Sequence, residues 1–143
     1  MLTHLFDAEL VYRSEMEPLT HEGEGELIGS GDGTVVGDAI TGTLAWTLFE
    51  RPGRLSCAMN PVAVIETHDG ARVRVEARGL ATRSDEASQV WAVAATLRFE
   101  SEHERYRWLD NALGLWEGEF DAETHRARYQ AYIVEDDASG VRR

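Results

Sequence analysis

The sequence predicts an all-β protein, an antiparallel barrel with one short helix, and three observations predict it. Apolar and polar residues alternate with a period of two through most of the chain, the pattern of half-buried strands. Turn-forming Gly and Asp residues separate the alternating runs. Only one stretch carries helical spacing. The 143 residues suit one domain over 1–143 with a polar tail at 135–143. Their 43% apolar content is that of a chain with a real core.

In chain order, LFDAELVY (5–12) sets Phe6, Ala8, Leu10 and Tyr12 against Asp7 and Glu9. GELIGSGDGTVVGD (25–38) crowds Gly25, Gly29, Gly31 and Gly33 among acids. A phosphate loop would lead into a helix and normally carry a lysine; these glycines lead into a strand pattern instead. Asp32 and Asp38 lack the spacing of a calcium loop. The glycines therefore read as turns and bulges between strands. TLAWTLF (43–49) alternates Leu44, Trp46 and Leu48 with Thr43, Ala45 and Thr47.

PVAVIETHDGARVRVEARG is the clearest hairpin. A two-residue Asp69-Gly70 turn sets Glu66 opposite Val73, Val64 opposite Val75 and Val62 opposite Ala77. One face is then Val62, Val64, Val73, Val75 and Ala77 with Glu66 among them; the other carries Arg72, Arg74, Glu76 and Arg78. QVWAVAATLRF (89–99) is apolar on both faces: Trp91, Val93, Ala95, Leu97 and Phe99 alternate with the smaller Val90, Ala92 and Ala94. SEHERYRWLDNAL begins with Ser101 and Glu104 at capping-box spacing and repeats Tyr106, Leu109 and Leu113 helically, which predicts a helix near 102–112. HRARYQAYIV (125–134) closes the chain with Ala127, Tyr129, Ala131 and Ile133 on one face.

Composition excludes several functions. A net charge of −12 repels phosphate backbones, so nucleic acid is not an expected partner. All 14 basic residues are arginine; without lysine there is no Schiff-base chemistry and no phosphate-loop lysine. The single Cys57 has no evident activating neighbour and reads as an inert buried thiol. One cysteine suits a reducing compartment, and with no membrane-length apolar run the expectation is a cytoplasmic protein. The five histidines are scattered, so neither metal nor cofactor is expected.

Three stretches together carry a resemblance. GDGTVVGDAITGTLAW, ETHDGARVRVEARG and FESEHERYRWLDNALGLWEG resemble, in that order, a family of small bacterial and fungal proteins of unknown function, over roughly residues 20–134. The resemblance implies a barrel of the allene oxide cyclase type, a group that includes dirigent proteins and natural-product cyclases, with a lumen for one small organic ligand. It supplies no catalytic residue.

Polar groups on apolar faces are the candidate site residues, because a buried polar group needs a partner or a purpose. Glu66, near a barrel mouth, is either a rim carboxylate in water or a general acid or base with an elevated pKa. His125 and Tyr129 could transfer a proton or simply complete structural hydrogen bonds. Trp46 and Trp91 are core or ligand-stacking lumen walls. Glu76 and Arg78 read most simply as an outer salt-bridged face; were the strand faces inverted, Arg78 would become an anion clamp beside Glu76. The functional expectation is a cofactor-free isomerase or cyclase acting on a small apolar ligand; the alternatives are a non-catalytic carrier and a structural homo-oligomer. The outward strip of Val90, Ala92 and Ala94 predicts a homodimer or higher closed oligomer.

Overall fold

Alternation becomes architecture through a chain of antiparallel hairpins. The computed structural model describes residues 1–13, 17–18, 27–52 and 54–135; most of the tail lies outside them. The strands are β1 (Leu2–Tyr12), β2 (Glu17–Pro18), β3 (Leu27–Val36), β4 (Gly42–Pro52), β5 (Ser56–Thr67), β6 (Arg72–Thr82), β7 (Val90–Glu100), β8 (Leu113–Asp121) and β9 (Arg126–Val134). Each long strand pairs with the next along the order β1-β9-β8-β7-β6-β5-β4-β3, and β1 also pairs with β3, so the sheet closes on itself. Closure leaves the eight long strands no free edge. The two-residue β2 adds only a short pairing onto β3.

Burial follows the period of two. Phe6, Ala8, Leu10 and Tyr12 of β1 point inward, as do Leu44 and Trp46 of β4 and Val93, Ala95, Leu97 and Phe99 of β7. A bulge between His4 and Phe6 breaks the alternation and buries Leu5 beside Phe6. Val90, Ala92 and Ala94 face out, as read from the sequence. The side chain of Leu48 lies outside those described.

Three sequence expectations need correction. The glycine-rich stretch is not a set of turns: Gly29, Gly31 and Gly33 sit inside β3. A Cβ at Gly33 would collide with the Glu9 carbonyl oxygen, and one at Gly31 with the Val11 carbonyl and the Trp46 ring, so these glycines let β1 and β3 close the barrel tightly. The helix near 102–112 is only a 3-10 turn, Arg107–Asn111. Its expected cap is spent elsewhere: Ser101 Oγ donates to the Arg72 carbonyl (2.7 Å) and accepts from the His103 amide (3.2 Å). Ser101, Tyr106 and Leu109 are buried in this segment.

The third correction concerns the hairpin register. Thr67 pairs with Ala71 through its amide (2.9 Å), leaving a three-residue turn of His68, Asp69 and Gly70, with Gly70 at φ 87°. The register is therefore Ile65↔Val73, Val64↔Arg74 and Glu66↔Arg72. The inward face of β6 is as expected, but β5 is turned over: Ala63, Ile65 and Thr67 face in, and Val64 and Glu66 face out.

Candidate functional site

The two ends of the barrel differ in chemistry. One end is plugged by the β7–β8 connection, and Asp69 organises it. Its Oδ1 accepts from Thr67 Oγ1 (2.5 Å) and Tyr106 Oη (2.8 Å), and its Oδ2 pairs with Arg105 Nη1 (3.0 Å). The Thr67 and Tyr106 hydroxyls, with a smaller contribution from Arg105, hold the Asp69 carboxyl down at about 2. Burial and the adjacent carboxylate push the Tyr106 phenol up. The His68 amide donates to the Thr41 carbonyl (2.9 Å), tying this turn to the β3–β4 connection. Every polar group named here has a partner. This end is structural.

The opposite end gathers aromatic rings inside the barrel. Tyr12 from β1 meets Trp46 edge-on at 4.3 Å between ring centroids and Phe120 from β8 at 4.4 Å. Trp116 from β8 stacks on Tyr129 from β9 at 4.6 Å. Alternation delivers them: each is an inward position of its strand, and β8 and β9 are neighbours through the pairing Trp116↔Ala131 and Gly118↔Tyr129. The Tyr12 and Tyr129 hydroxyls lie 3.3 Å apart, both residues being buried. Leu10, Met59 and Pro61, with Ala63, Val75 and neighbouring small residues, add apolar wall to a recess that encloses only about 10 Å³, room for about one water-sized sphere.

One atom here lacks a partner among the described residues. Trp46 is 4% exposed, and its Nε1 is fully buried with no hydrogen-bond acceptor among them. Gly31 makes room for the indole on the nitrogen side of the ring, since a Cβ there would lie 2.8 Å from Trp46 Cε2, the carbon bonded to Nε1.

Residues 1–134 match the family model described as a protein of unknown function, DUF3237. The chain belongs to the DUF3237 family. No curated protein matches its sequence. Among solved structures, it is similar to a protein of unknown function from Clostridium acetobutylicum, with TM-score 0.81, 14% identity and coverage of 94% of this chain and 99% of that one. It is also similar to a β-barrel-like protein from Acinetobacter baumannii, with TM-score 0.79, 15% identity and coverage of 94% and 96%. An enzyme from Penicillium herquei matches with TM-score 0.65, 20% identity and coverage of 94% of each chain. These likenesses place the fold within a recurring small barrel.

Against this DUF3237 barrel, the residues singled out from sequence scatter. Tyr129 and Trp46 lie in the aromatic recess. Trp91 stands half-buried, with the Arg83 guanidinium 4.5 Å over its ring. Arg83 also donates to the Arg54 carbonyl (2.8 Å), so this pair fixes the β4–β5 and β6–β7 connections together. His125 precedes β9 in a turn at φ 60°, so it leaves the alternation that carries Tyr129 inward, and its backbone carbonyl accepts from the Tyr12 amide (2.8 Å). Glu66 is on the outer surface, 3.4 Å from Arg72, because the longer turn reversed its strand. Glu76 is likewise outside, paired with Arg74 at 3.0 Å, and Arg78 is exposed on the same face. Sequence reading passed over Trp116 and Phe120, although the alternation of Gly114, Trp116, Gly118 and Phe120 was the signal that could have found them. Among the described residues no three metal-ligating side chains converge, and no helix is long and apolar enough to cross a membrane.

Proposed function

We propose that this protein binds a small, largely apolar organic molecule carrying one hydrogen-bond-accepting oxygen at the aromatic end of its barrel. The observation that carries the reading is the buried Trp46 Nε1, without an acceptor among the described residues, lining the same recess as the Tyr12–Tyr129 hydroxyl pair. A buried donor without an acceptor costs about 1–3 kcal/mol, which a ligand oxygen recovers. The surrounding rings supply apolar walls for the rest of the molecule. Because the enclosed space is about 10 Å³, only the polar atom fits without rearrangement. Met59, unbranched and on the recess wall, is the side chain suited to give way.

A phenol pair beside an oxygen-binding N–H can also pass a proton to that oxygen. Cofactor-independent isomerisation or cyclisation is the reaction class such a site serves, with Tyr129 as the acid. That one structural relative is an enzyme supports this reading in kind, without its substrate. The smallness of the void favours a second reading, a barrel whose filled interior is only a scaffold. A matched pair of probes separates them: 1-tetralone carries an acceptor oxygen, and tetralin has its shape without one. In ligand-observed NMR the ketone should bind roughly five- to tenfold tighter, the worth of one hydrogen bond of about 1 kcal/mol. Trp46→Phe, which keeps the ring and loses the N–H, should erase the difference. Absence of binding by either probe at millimolar concentration sinks the ligand reading in favour of the scaffold.

A further inference from the structure

On the outer face of β6, β7 and β8 lies a second concavity, of about 630 Å³, far larger than the lumen void. Its lining includes Arg78, Leu80, Ala94, Leu115 and Glu117, with Thr96 on its floor. Leu80 is 48% exposed, a large apolar side chain left half open to solvent by the described residues. Ala94 and Thr96 are short, so another surface can approach the backbone closely between taller flanks. Arg78 and Glu117 are both exposed, and among the described residues neither enters an ion pair.

The strand register gives these six residues a pattern. Arg78 pairs across to Thr96, and Thr96 to Leu115; Leu80 pairs to Ala94, and Ala94 to Glu117. The two charges therefore occupy one diagonal across β7 and the two leucines the other. A two-fold axis lying in the contact plane along the leucine diagonal brings each leucine against its own copy. The same axis sets Arg78 of each chain over Glu117 of the other. Such an axis crosses the two sets of strands steeply, nearer the orthogonal mode of face packing than the aligned one. The surface is self-complementary in shape and in charge, which a closed symmetric dimer requires.

We infer that this groove is the seat of a second copy of the chain, joined by an apolar centre and two reciprocal Arg78–Glu117 pairs. A stable contact of ordinary size removes about 800 Å² from each partner, roughly a tenth of the 8864 Å² this chain exposes. The net charge of −12 opposes association, so the reciprocal pairs do more for orientation than for affinity. The surface lies outside the lumen, and the inference stands or falls apart from any ligand of the aromatic recess.

Sedimentation equilibrium of the full chain at moderate salt should give a particle of twice the 16.0 kDa chain mass. Arg78→Glu and Glu117→Arg each create like-charge contacts, and each alone should self-associate at least about tenfold more weakly. Mixed in equal amounts, the two variants should form a heterodimer, because both cross-pairs become Arg–Glu again. A monomeric wild type up to about 100 µM overturns the inference. So does a dimer indifferent to both reversals, or a mixture that stays as weak as its components. Decanoate seated against Arg78 of a monomeric chain, seen by NMR, would make the groove a ligand site instead.

Discussion

Adding one methyl group at Gly31 tests the barrel's closing seam and its aromatic end together. In Gly31→Ala the new Cβ meets the Val11 carbonyl oxygen on β1 and the edge of the Trp46 indole, with Cε2 at 2.8 Å. The first contact is with backbone held in the β1–β3 ladder, where Gly31 pairs with Tyr12. The second is with a buried ring that Tyr12 packs against at 4.3 Å. Neither is the loose end of a flexible side chain, so strand or ring must shift. Overpacking of this kind costs about 1–3 kcal/mol, and the entropy gained by replacing a strand glycine returns only about 0.5–1 kcal/mol. Because the clash is with backbone the cost falls in the upper half of that range, so the net loss is about 1–2.5 kcal/mol, which for a chain of this size lowers Tm by roughly 3–8 °C.

The assay is urea unfolding followed by tryptophan fluorescence. Gly31→Ala should lower the midpoint and also change the native spectrum, since Trp46 is displaced. Gly70→Ala makes a useful contrast. Nothing lies within 4 Å of where the added Cβ would stand, and the alanine is strained only by the φ of 87°. It should cost about 1–2 kcal/mol and leave the native spectrum alone. If Gly31→Ala is as stable as the wild type, or destabilised with an unchanged native spectrum, the close approach of β1, β3 and Trp46 argued here is wrong.

Acid should loosen the plugged end in a defined window. The Asp69 carboxyl is held at about 2 against 3.8 for a free one, so its contribution is fully present above about pH 4 and is lost as pH falls through about 2. The difference in urea midpoint between wild type and Asp69→Asn should therefore be constant at neutral pH and shrink between pH 4 and 2; a difference flat across that range contradicts the assignment. At the alkaline end the Tyr106 phenol, raised above 10.0, contributes stability that is present below pH 10 and lost above it, so one tyrosine should ionise later than free tyrosine in an absorbance titration. Cys57 is 6% exposed and its thiol faces the Ala58 carbonyl at 3.7 Å. A thiol-reactive disulfide reagent should label it only on unfolding, and rapid stoichiometric labelling of the native chain would refute its burial.

How much was legible in the sequence depended on whether a pattern was local. Period-two alternation located β1, β4, β6, β7 and β9 and their inward faces, because one face of each strand meets the core and the other meets water. The short helix was misread because capping-box spacing is not sufficient to make a helix: the Ser101 hydroxyl found the Arg72 carbonyl, a partner distant in sequence. β3 was hidden because its glycines answer to the approach of β1 and of Trp46, contacts that only closure creates. The site was legible in part. Trp46 and Tyr129 were visible as ring-bearing inward positions, but that they meet Tyr12 and Trp116 follows from the order in which strands close, which no local pattern encodes.

The turn of His68, Asp69 and Gly70 shows how one residue sets the chemistry of the lumen. With a two-residue turn, Glu66 and Val64 would enter the interior, and Ile65 and Thr67 would leave it. An unpaired glutamate inside an apolar barrel is costly to ionise, so such a lumen would hold an acid with a raised pKa. The third residue reverses β5. It puts Glu66 in water beside Arg72 and brings Thr67 inward, where its hydroxyl supports Asp69. The same turn thus removes a carboxylate from the barrel interior and supplies the carboxylate that secures the plug. As a result, among the described residues no aspartate, glutamate or arginine side chain is buried, and Thr67 and Ser101 are the buried polar residues at the plugged end. At the other end the buried polar atoms, among the described residues, are phenol hydroxyls and an indole N–H. On the binding mode proposed above, the partner that such a set recognises is itself neutral. A carboxylate or ammonium ligand would lose its hydration to an interior where no described residue brings a counter-charge, whereas a ketone or ether oxygen gives up little water and meets a waiting donor.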